Sequence, residues 1–271
     1  MTEEPEKKIV HDQMGYRVLL NGLPKRIISL VPSQTELLAA LGLNEEVVGI
    51  TKFCIHPDEW FRTKQRVGGT KKLDMAKIES LAPDFIIGNK EENKEEQIKE
   101  LMQRYSVWMS DIHTLDDAIN MIESVGKLVN KSTQAQELVN RIRSNFKKLK
   151  SPETTPEKVA YFIWKNPYMS VNKHTFINHI LKMCNLDNVF KEAGDDYPIV
   201  TAEEIKEVAP GIIMLSSEPY PFAEKHINEF KEMCPRAKVI PVNGEYFSWY
   251  GSRLADTPGY LNGFLKQIYN G

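Results

Sequence analysis

Cysteine is scarce. Cys54, Cys184 and Cys234 are the only three in 271 residues, widely spaced, with no CxxC pair. That count excludes a disulfide framework and a zinc knuckle, and leaves free structural thiols as the reading. Long apolar runs are missing too: nothing approaches the roughly 18 to 20 residues that cross a bilayer. The start, "MTEEPEKKIVHD", lacks the apolar segment of about 7 to 15 residues that a secretory signal carries. The expectation is cytoplasmic residence for the chain as written, and periplasmic residence if an export signal has been removed. Neither sign of charge dominates, with Lys+Arg 35 against Asp+Glu 37, so no basic footprint for nucleic acid is present.

Catalytic signatures are equally sparse. No GxGxxG follows an apolar run, and "VGGTKK" has the wrong spacing for a phosphate loop. HExxH and GxSxG are absent, and the SxxK matches at Ser144–Lys147 and Ser170–Lys173 are chance-level patterns.

What is present is alternation. "RIISLVPSQTELLAALGL", from Arg26, reads as a β-branched strand, a turn and a helix. Ser33 and Glu36, three apart, fit a capping box. "EEVVGITKF", "APDFIIG" and "YSVWMSD" read as further strands, with "NKEEQIKELMQRY" as an amphipathic helix between the last two. Strands and helices alternating in this way predict a mainly parallel sheet, with ligand-binding loops at the C-terminal ends of the strands.

From Thr114 to about Lys150 apolar residues recur at three and four, without proline and with Gly126 as the only glycine. The spacing predicts one helix of roughly 35 residues, about 50 Å long, joining two lobes. "SPETTP" then breaks the chain. "KVAYFIW", "GIIMLSS" and "AKVIPV" read as strands of a second lobe, with helices around "FINHILKMCNL", "TAEEIKEVA" and "AEKHINEFKEM". The expected organisation is an α/β lobe over 1–113, a connecting helix over 114–150 and a second α/β lobe over 151–271, with a ligand cleft between the lobes and no sequence repeat relating them.

Polar and aromatic clusters fall where the strands end. They are Ser33 and Gln34, Phe53 to His56 and Asn89 to Glu92 in the first half, and "WKNPYM", "DDYP", "SSEPYPF" and "EYFSWYGSR" in the second. Large rings beside proline and glycine in loops either cap a sheet edge or face a ligand. Taken singly, edge packing is the better account of each cluster; taken together, a cleft is. Glu95 and Glu96 are explained by the positive end of the helix that follows, so Asn89, Lys90 and Glu91 are the residues placed at the cleft. Cys54 and His56 would point the same way on an extended segment, a pattern open to a soft metal. With no third ligand, metal binding is not assigned. His174 and His179, five apart, do not share a helix face.

With "KRIISLVPSQTELLAALGL", "RVGG", "IESLAPDFII", the long helical stretch and "VTAEEIKEVAPGIIML" in this order, the chain from about Met14 onward resembles the helical-backbone metal receptor superfamily. These are substrate-binding proteins of ABC importers for vitamin B12, haem and ferric siderophores. The resemblance implies two α/β lobes, a rigid connecting helix and a ligand held between the lobes. It is greatest to the vitamin B12-binding type and to a signal-less group carrying "NKEEN", "EPYPF" and "WYGSR". It implies a pocket built from Pro32 to Gln34, Phe53, Thr70, Asn89, Tyr197 and the segment Tyr246 to Arg253. Thr70, Asn89 and Tyr197 stand where tryptophans of a B12 pocket are expected, which removes stacking area. Importer docking implies one glutamate on each lobe. Glu203 matches the second, whereas Ala76 occupies the first position and Glu79 lies one turn on.

The combined expectation is a non-enzymatic binding protein for a corrinoid, haem or ferric chelate. Tyr168, Tyr197, Tyr220, Tyr246 and Trp249 supply surface, and Lys90, Glu91 and Arg253 meet polar groups of the ligand. No cofactor of the protein's own is implied; cobalt or iron would belong to the ligand. The alternatives are a cytosolic enzyme or cofactor-handling protein on the same fold, and a ligand-responsive sensor that binds a partner protein.

Overall fold

The computed structural model describes residues 7–269. Met1 to Glu6, half of the stretch read as carrying no export signal, lie outside the described residues. The chain divides into two units. Unit 1 comprises Met1–Ile112, Asp116–Arg143 and Tyr250–Arg253; unit 2 comprises His113–Leu115, Ser144–Trp249 and Leu254–Gly271.

Unit 1 opens with an antiparallel hairpin, β1 (Lys7–His11) and β2 (Arg17–Asn21). The sequence reading did not include it, because Ile9 and Leu19 keep apolar side chains exposed and blur the alternation. The buried carboxylate of Asp12 holds the hairpin turn, accepting from the backbone N–H groups of Met14 and Tyr16, and from Met109 at 3.2 Å. The chain continues through β3 (Ile27–Ser29), α1 (Pro32–Ala40), β4 (Val47–Ile50), α2 (Asp58–Thr63), β5 (Gln65–Arg66), the small ribbon β6 (Gly68–Gly69) and β7 (Lys72–Leu73), α3 (Met75–Leu81), β8 (Phe85–Asn89), α4 (Glu95–Met102) and β9 (Val107–Ser110). The main sheet runs β5-β4-β3-β8-β9 with every neighbouring pair parallel. Its central strands are buried along their whole length, which is why they read as unbroken apolar runs.

The capping box expected at Ser33 and Glu36 does not form. Val31 is the N-cap of α1 without a side-chain bond, and Pro32 takes the first turn, where its missing N–H costs nothing. Glu36 is used elsewhere, as described below.

The single helix expected over 114–150 is corrected to two, α5 (Leu115–Leu128) and α6 (Ser132–Phe146). Asn130 adopts φ 55°, and the N–H of Lys131 bonds back to the carbonyl of Gly126 at 2.7 Å. This is a Schellman ending with asparagine in the left-handed position. The lysine carbonyl then accepts from Ala135 at 2.9 Å and starts α6. Gly126 lets the two helices approach, since a Cβ there would stand 2.4 Å from the Cβ of Ala135. The apolar spacing of three and four continues through the break, so periodicity alone merged the helices.

Unit 2 contains β10 (Glu157–Phe162), β11 (Tyr168–Met169), α7 (Phe176–Met183), β12 (Leu186–Asn188), β13 (Ile199–Val200), α8 (Ala202–Val208), β14 (Ile212–Ser216), α9 (Glu224–Met233), β15 (Lys238–Val242), α10 (Glu245–Ser248), a 3-10 turn at Ser252–Ala255 and α11 (Thr257–Tyr269). Its sheet, β12-β10-β14-β15, is also parallel throughout. Phe162 on β10 packs against Phe230 of α9 at a ring separation of 4.9 Å, within a core that also takes Phe190, Ile205 and Leu215.

α3 and α8 share one local plan. Each begins at a side-chain cap, Asp74 or Thr201, and each ends on an alanine at φ 44°, Ala82 or Ala209. Each then enters a proline and a central strand. The match of "IESLAPDFII" with "IKEVAPGIIM" therefore reflects equivalent positions in the two units, a local repeat that the sequence reading did not find.

Candidate ligand-binding site

A parallel sheet in which the chain moves first to one side of its starting strand and later to the other has a switch point, where the two loops diverge and leave a crevice. In unit 1 the switch lies between β3 and β8. In unit 2 it lies between β10 and β14.

At the unit 1 switch, Gln34 bridges the strands, its amide nitrogen donating to the carbonyl of Gly88 at 3.0 Å and to Ser110 Oγ at 2.7 Å. Pro32, Ser33 and Gln34 are all buried at this switch. Asn89 is buried as well. Its Oδ1 accepts from the N–H groups of Glu91 and Glu92, and its Nδ2 donates to Ser110. Its side chain therefore shapes the loop that presents Lys90, Glu91 and Glu92. Lys90 pairs with Asp111 at 2.7 Å. Tyr250 reaches Glu92 at 3.1 Å, and burial, then the nearby Glu92 carboxylate, hold its phenol well above the usual range.

The exposed apolar surface of this unit near the β4 end is Phe53, half exposed, with Ile55 beside it. The Lys52 ammonium lies 5.0 Å from the Phe53 ring centroid. Gly69 fits under that ring, since a Cβ there would come within 3.1 Å of it. Thr70 is half-buried, and its carbonyl accepts from Asn93 at 3.1 Å. Cys54 turns inward to Thr35 and Thr51, and burial pushes its thiol up to about 11. A protonated, enclosed thiol is a poor metal ligand. No group of three or more candidate metal ligands exists among the described residues.

At the unit 2 switch, the loops after β10 and β14 carry Trp164 and Tyr220, edge to face at 5.5 Å. Trp164 is 39% exposed. It belongs to the "WKNPYM" cluster but was not singled out as a site residue. Beneath the pair, Tyr161 donates to Ser216 Oγ at 3.2 Å across the switch. Phe222 and His226 extend the aromatic group from Tyr220 at ring separations of 4.8 and 5.4 Å. Tyr168 packs between Phe162 and Phe230, and its hydroxyl meets Glu229, which also pairs with Lys165. Tyr197 is half-buried in the loop before β13.

His226 controls the shape of the Glu218–Ala223 loop. Its Nδ1 accepts from the N–H of Ala223 at 2.8 Å, and Nε2 faces the Tyr220 hydroxyl at 3.3 Å. An accepting Nδ1 requires the neutral ring with its proton on Nε2. Burial first, then Lys165 and Lys225, lower its pKa from 6.5, against an opposing effect of Glu229. The contribution of this contact is therefore present above the unfolded value of about 6.5 and lost as pH falls through the lower folded value. Urea unfolding between pH 7 and pH 5 should show stability falling in the native chain and a shallower fall in His226→Gln, since glutamine at this helix position also accepts the bond. Equal slopes in both would remove His226 as the cause.

Three expected site residues have structural partners. The Arg253 guanidinium forms a two-pronged pair with Glu36, at 2.7 and 3.2 Å, with the side chains only 13% and 22% exposed. Trp249 is buried and donates to Glu218 at 2.8 Å. Tyr246 stacks on Tyr260 at 4.4 Å. His56 is half-buried in the loop that leads into α2. Glu203 is exposed in the first turn of α8, and Ala76 sits at the equivalent place in α3, while Glu79 pairs with Arg104.

Two parallel sheets, with the loop-borne rings of Trp164 and Tyr220 at the switch point of the second, are the architecture to be compared. The sequence profile of the Periplasmic binding protein family matches residues 27–233, and the chain belongs to that family. Members bind small-molecule ligands and work with the membrane subunits of ABC importers. Among relatives, the vitamin B12-binding protein of Pectobacterium atrosepticum is 25% identical over 240 residues, covering 86% of this chain and 85% of that protein. The periplasmic vitamin B12-binding protein BtuF of Vibrio cholerae superposes with a TM-score of 0.78 at 21% identity, over 92% of this chain and 99% of that one. The periplasmic haem-binding protein BhuT, solved with two haems, gives 0.79 at 19% identity, over 91% and 99%. The two-lobed α/β fold with parallel sheets expected from the sequence is thus the observed one, except that its connecting helix is divided in two. No helix among the described residues is long and apolar enough to cross a membrane.

Proposed function

We propose that this chain is the non-enzymatic ligand-binding component of an ABC-type uptake system for a metal-bearing macrocycle or chelate: a corrinoid, a haem or a ferric siderophore. The carrying observation is the pair Trp164 and Tyr220, two partly exposed rings held at the unit 2 switch point. A flat or ring-shaped ligand gains affinity by covering such surface. Phe53 and Ile55 in unit 1 offer apolar area of the same kind. The ligand's polar edge meets Lys90 and Glu91. Cobalt or iron enters with the ligand.

Native mass spectrometry with cyanocobalamin, haemin and ferric siderophores tests this directly. One class is expected to give a stoichiometric adduct, and Trp164→Ala is expected to weaken it by about tenfold or more, the loss of one well-covered aromatic contact. Absence of an adduct with all three classes would sink the reading. For the partner, Glu203 on α8 is the proposed contact to an importer subunit, in the periplasm. The alanine at the equivalent place in α3 favours a second reading, in which the chain serves as a cytosolic carrier or sensor without such docking.

A further inference from the structure

Unit 2 holds a second cavity, unrelated to its switch point. It is a groove of about 560 Å³, and its lining includes His113, Lys173, His174, His179, Lys182 and Asp196. The side chains come from separate parts of the unit. His113 lies in the short segment before α5, Lys173 and His174 precede α7, His179 and Lys182 are on α7, and Asp196 is in the loop before β13. A bond of 2.6 Å between His113 Nδ1 and the carbonyl of His174 ties two of these segments together.

Two properties define what would fit. First, every residue lining the groove is polar, the remaining two being Thr114 and Asn178. No aliphatic side chain and no Phe, Tyr or Trp, the residues whose walls bind macrocycles, lines it. Second, donors outnumber acceptors in the lining: two lysines and three imidazoles face the carboxylate of Asp196. Lys173 has a partner in Glu192. The side chains of Lys182 and His174 make no hydrogen bond or ion pair among the described residues, so their donors point to solvent. N–H donors that converge from different segments on a concave, hydrophilic surface, the Lys182 ammonium among them, suit a ligand with several anionic oxygens. The volume lies within the range of ordinary small-molecule sites. The groove lacks the clustered ligands a metal needs.

We propose that this groove is a second site, for a small polyanion bearing at least two phosphate or carboxylate groups, with Lys182 and His174 as its principal contacts. The site is independent of the macrocycle reading, and either can fail without the other.

Calorimetry on the whole protein at low salt, with pyrophosphate, citrate and glucose as probes, provides the test. Binding of one equivalent of pyrophosphate or citrate, tighter than about 1 mM, is expected, with no heat from glucose. Pyrophosphate alone would assign phosphate esters, citrate alone polycarboxylates, and both the shared chemistry. The double variant His174→Gln, Lys182→Gln should weaken binding by at least about tenfold, and Lys182→Glu more. Both side chains are exposed and make no hydrogen bond, so near-ultraviolet circular dichroism should be unchanged. In the unsubstituted protein, the imidazole C–H resonances of His113, His174 and His179 should move on adding the bound anion. The proposal is overturned if neither anion binds at about 10 mM, if the double variant keeps its affinity, or if those resonances stay in place.

Discussion

Arg253→Ala should lower thermal stability more than it lowers ligand affinity. The guanidinium is one half of a pair with Glu36 in which both side chains are largely out of water. Removing it takes the two-pronged partner from a carboxylate in a poorly hydrated place, and losing one half of such a pair costs more than the pair's net attraction. Because Glu36 keeps 22% of its side-chain surface, the expected loss is about 2 to 3 kcal/mol, below the range for a fully buried pair. For a chain of this size that is a fall in Tm of roughly 4 to 12 °C. The compensating variant, Glu36→Gln with Arg253→Met, removes both charges and should recover most of the loss. If Arg253→Ala left Tm unchanged and weakened the ligand tenfold, the ligand contact expected from the sequence would be right after all.

A second large effect is expected at the turn between α5 and α6. Gly126→Ala adds a methyl group that would stand 2.4 Å from the Cβ of Ala135 and 3.2 Å from the carbonyl of Lys131. Neither neighbour is the far end of a flexible side chain, so one helix has to shift. Alanine is the better helix former by about 1 kcal/mol, and an exposed glycine would therefore gain from the change. Here the clash is expected to outweigh that gain, with a net loss of about 2 kcal/mol in chemical denaturation. Adding Ala135→Gly should restore most of it. A gain in stability from Gly126→Ala alone would mean that the two helices have slack at this point.

These two sites also show where a linear reading stops. The central strands were legible because β3, β8, β10 and β14 are covered on both faces and read as continuous apolar runs. The break at Asn130 was not, because the apolar spacing continues through it. Its signal was the sequence "LVNKST", with asparagine at the left-handed position and serine and threonine opening the next helix. The site was legible in part. Loop aromatics fall at the strand ends as expected, and Tyr220 stands at a switch point, but the exposure of Trp164 and the enclosure of Trp249 depend on packing that no local pattern encodes. Arg253 was read as facing a ligand because its partner Glu36 lies 217 positions away, beyond any rule of spacing. Asn89 was located at the right strand end, yet its hydrogen bonds turn back into its own loop.

The four residues Tyr250–Arg253 belong to unit 1, although all the rest of that unit precedes position 144. They bring Arg253 to Glu36 and Tyr250 to Glu92. Gly251 passes Ser33 so closely that a Cβ would lie 2.4 Å from its carbonyl oxygen. During synthesis, then, the part of the protein that leaves the ribosome first is the part that waits longest for its last piece. Arg253 can reach Glu36 only when almost the whole chain has been made, so unit 1, first in sequence, closes only just before residues 254–271 finish unit 2.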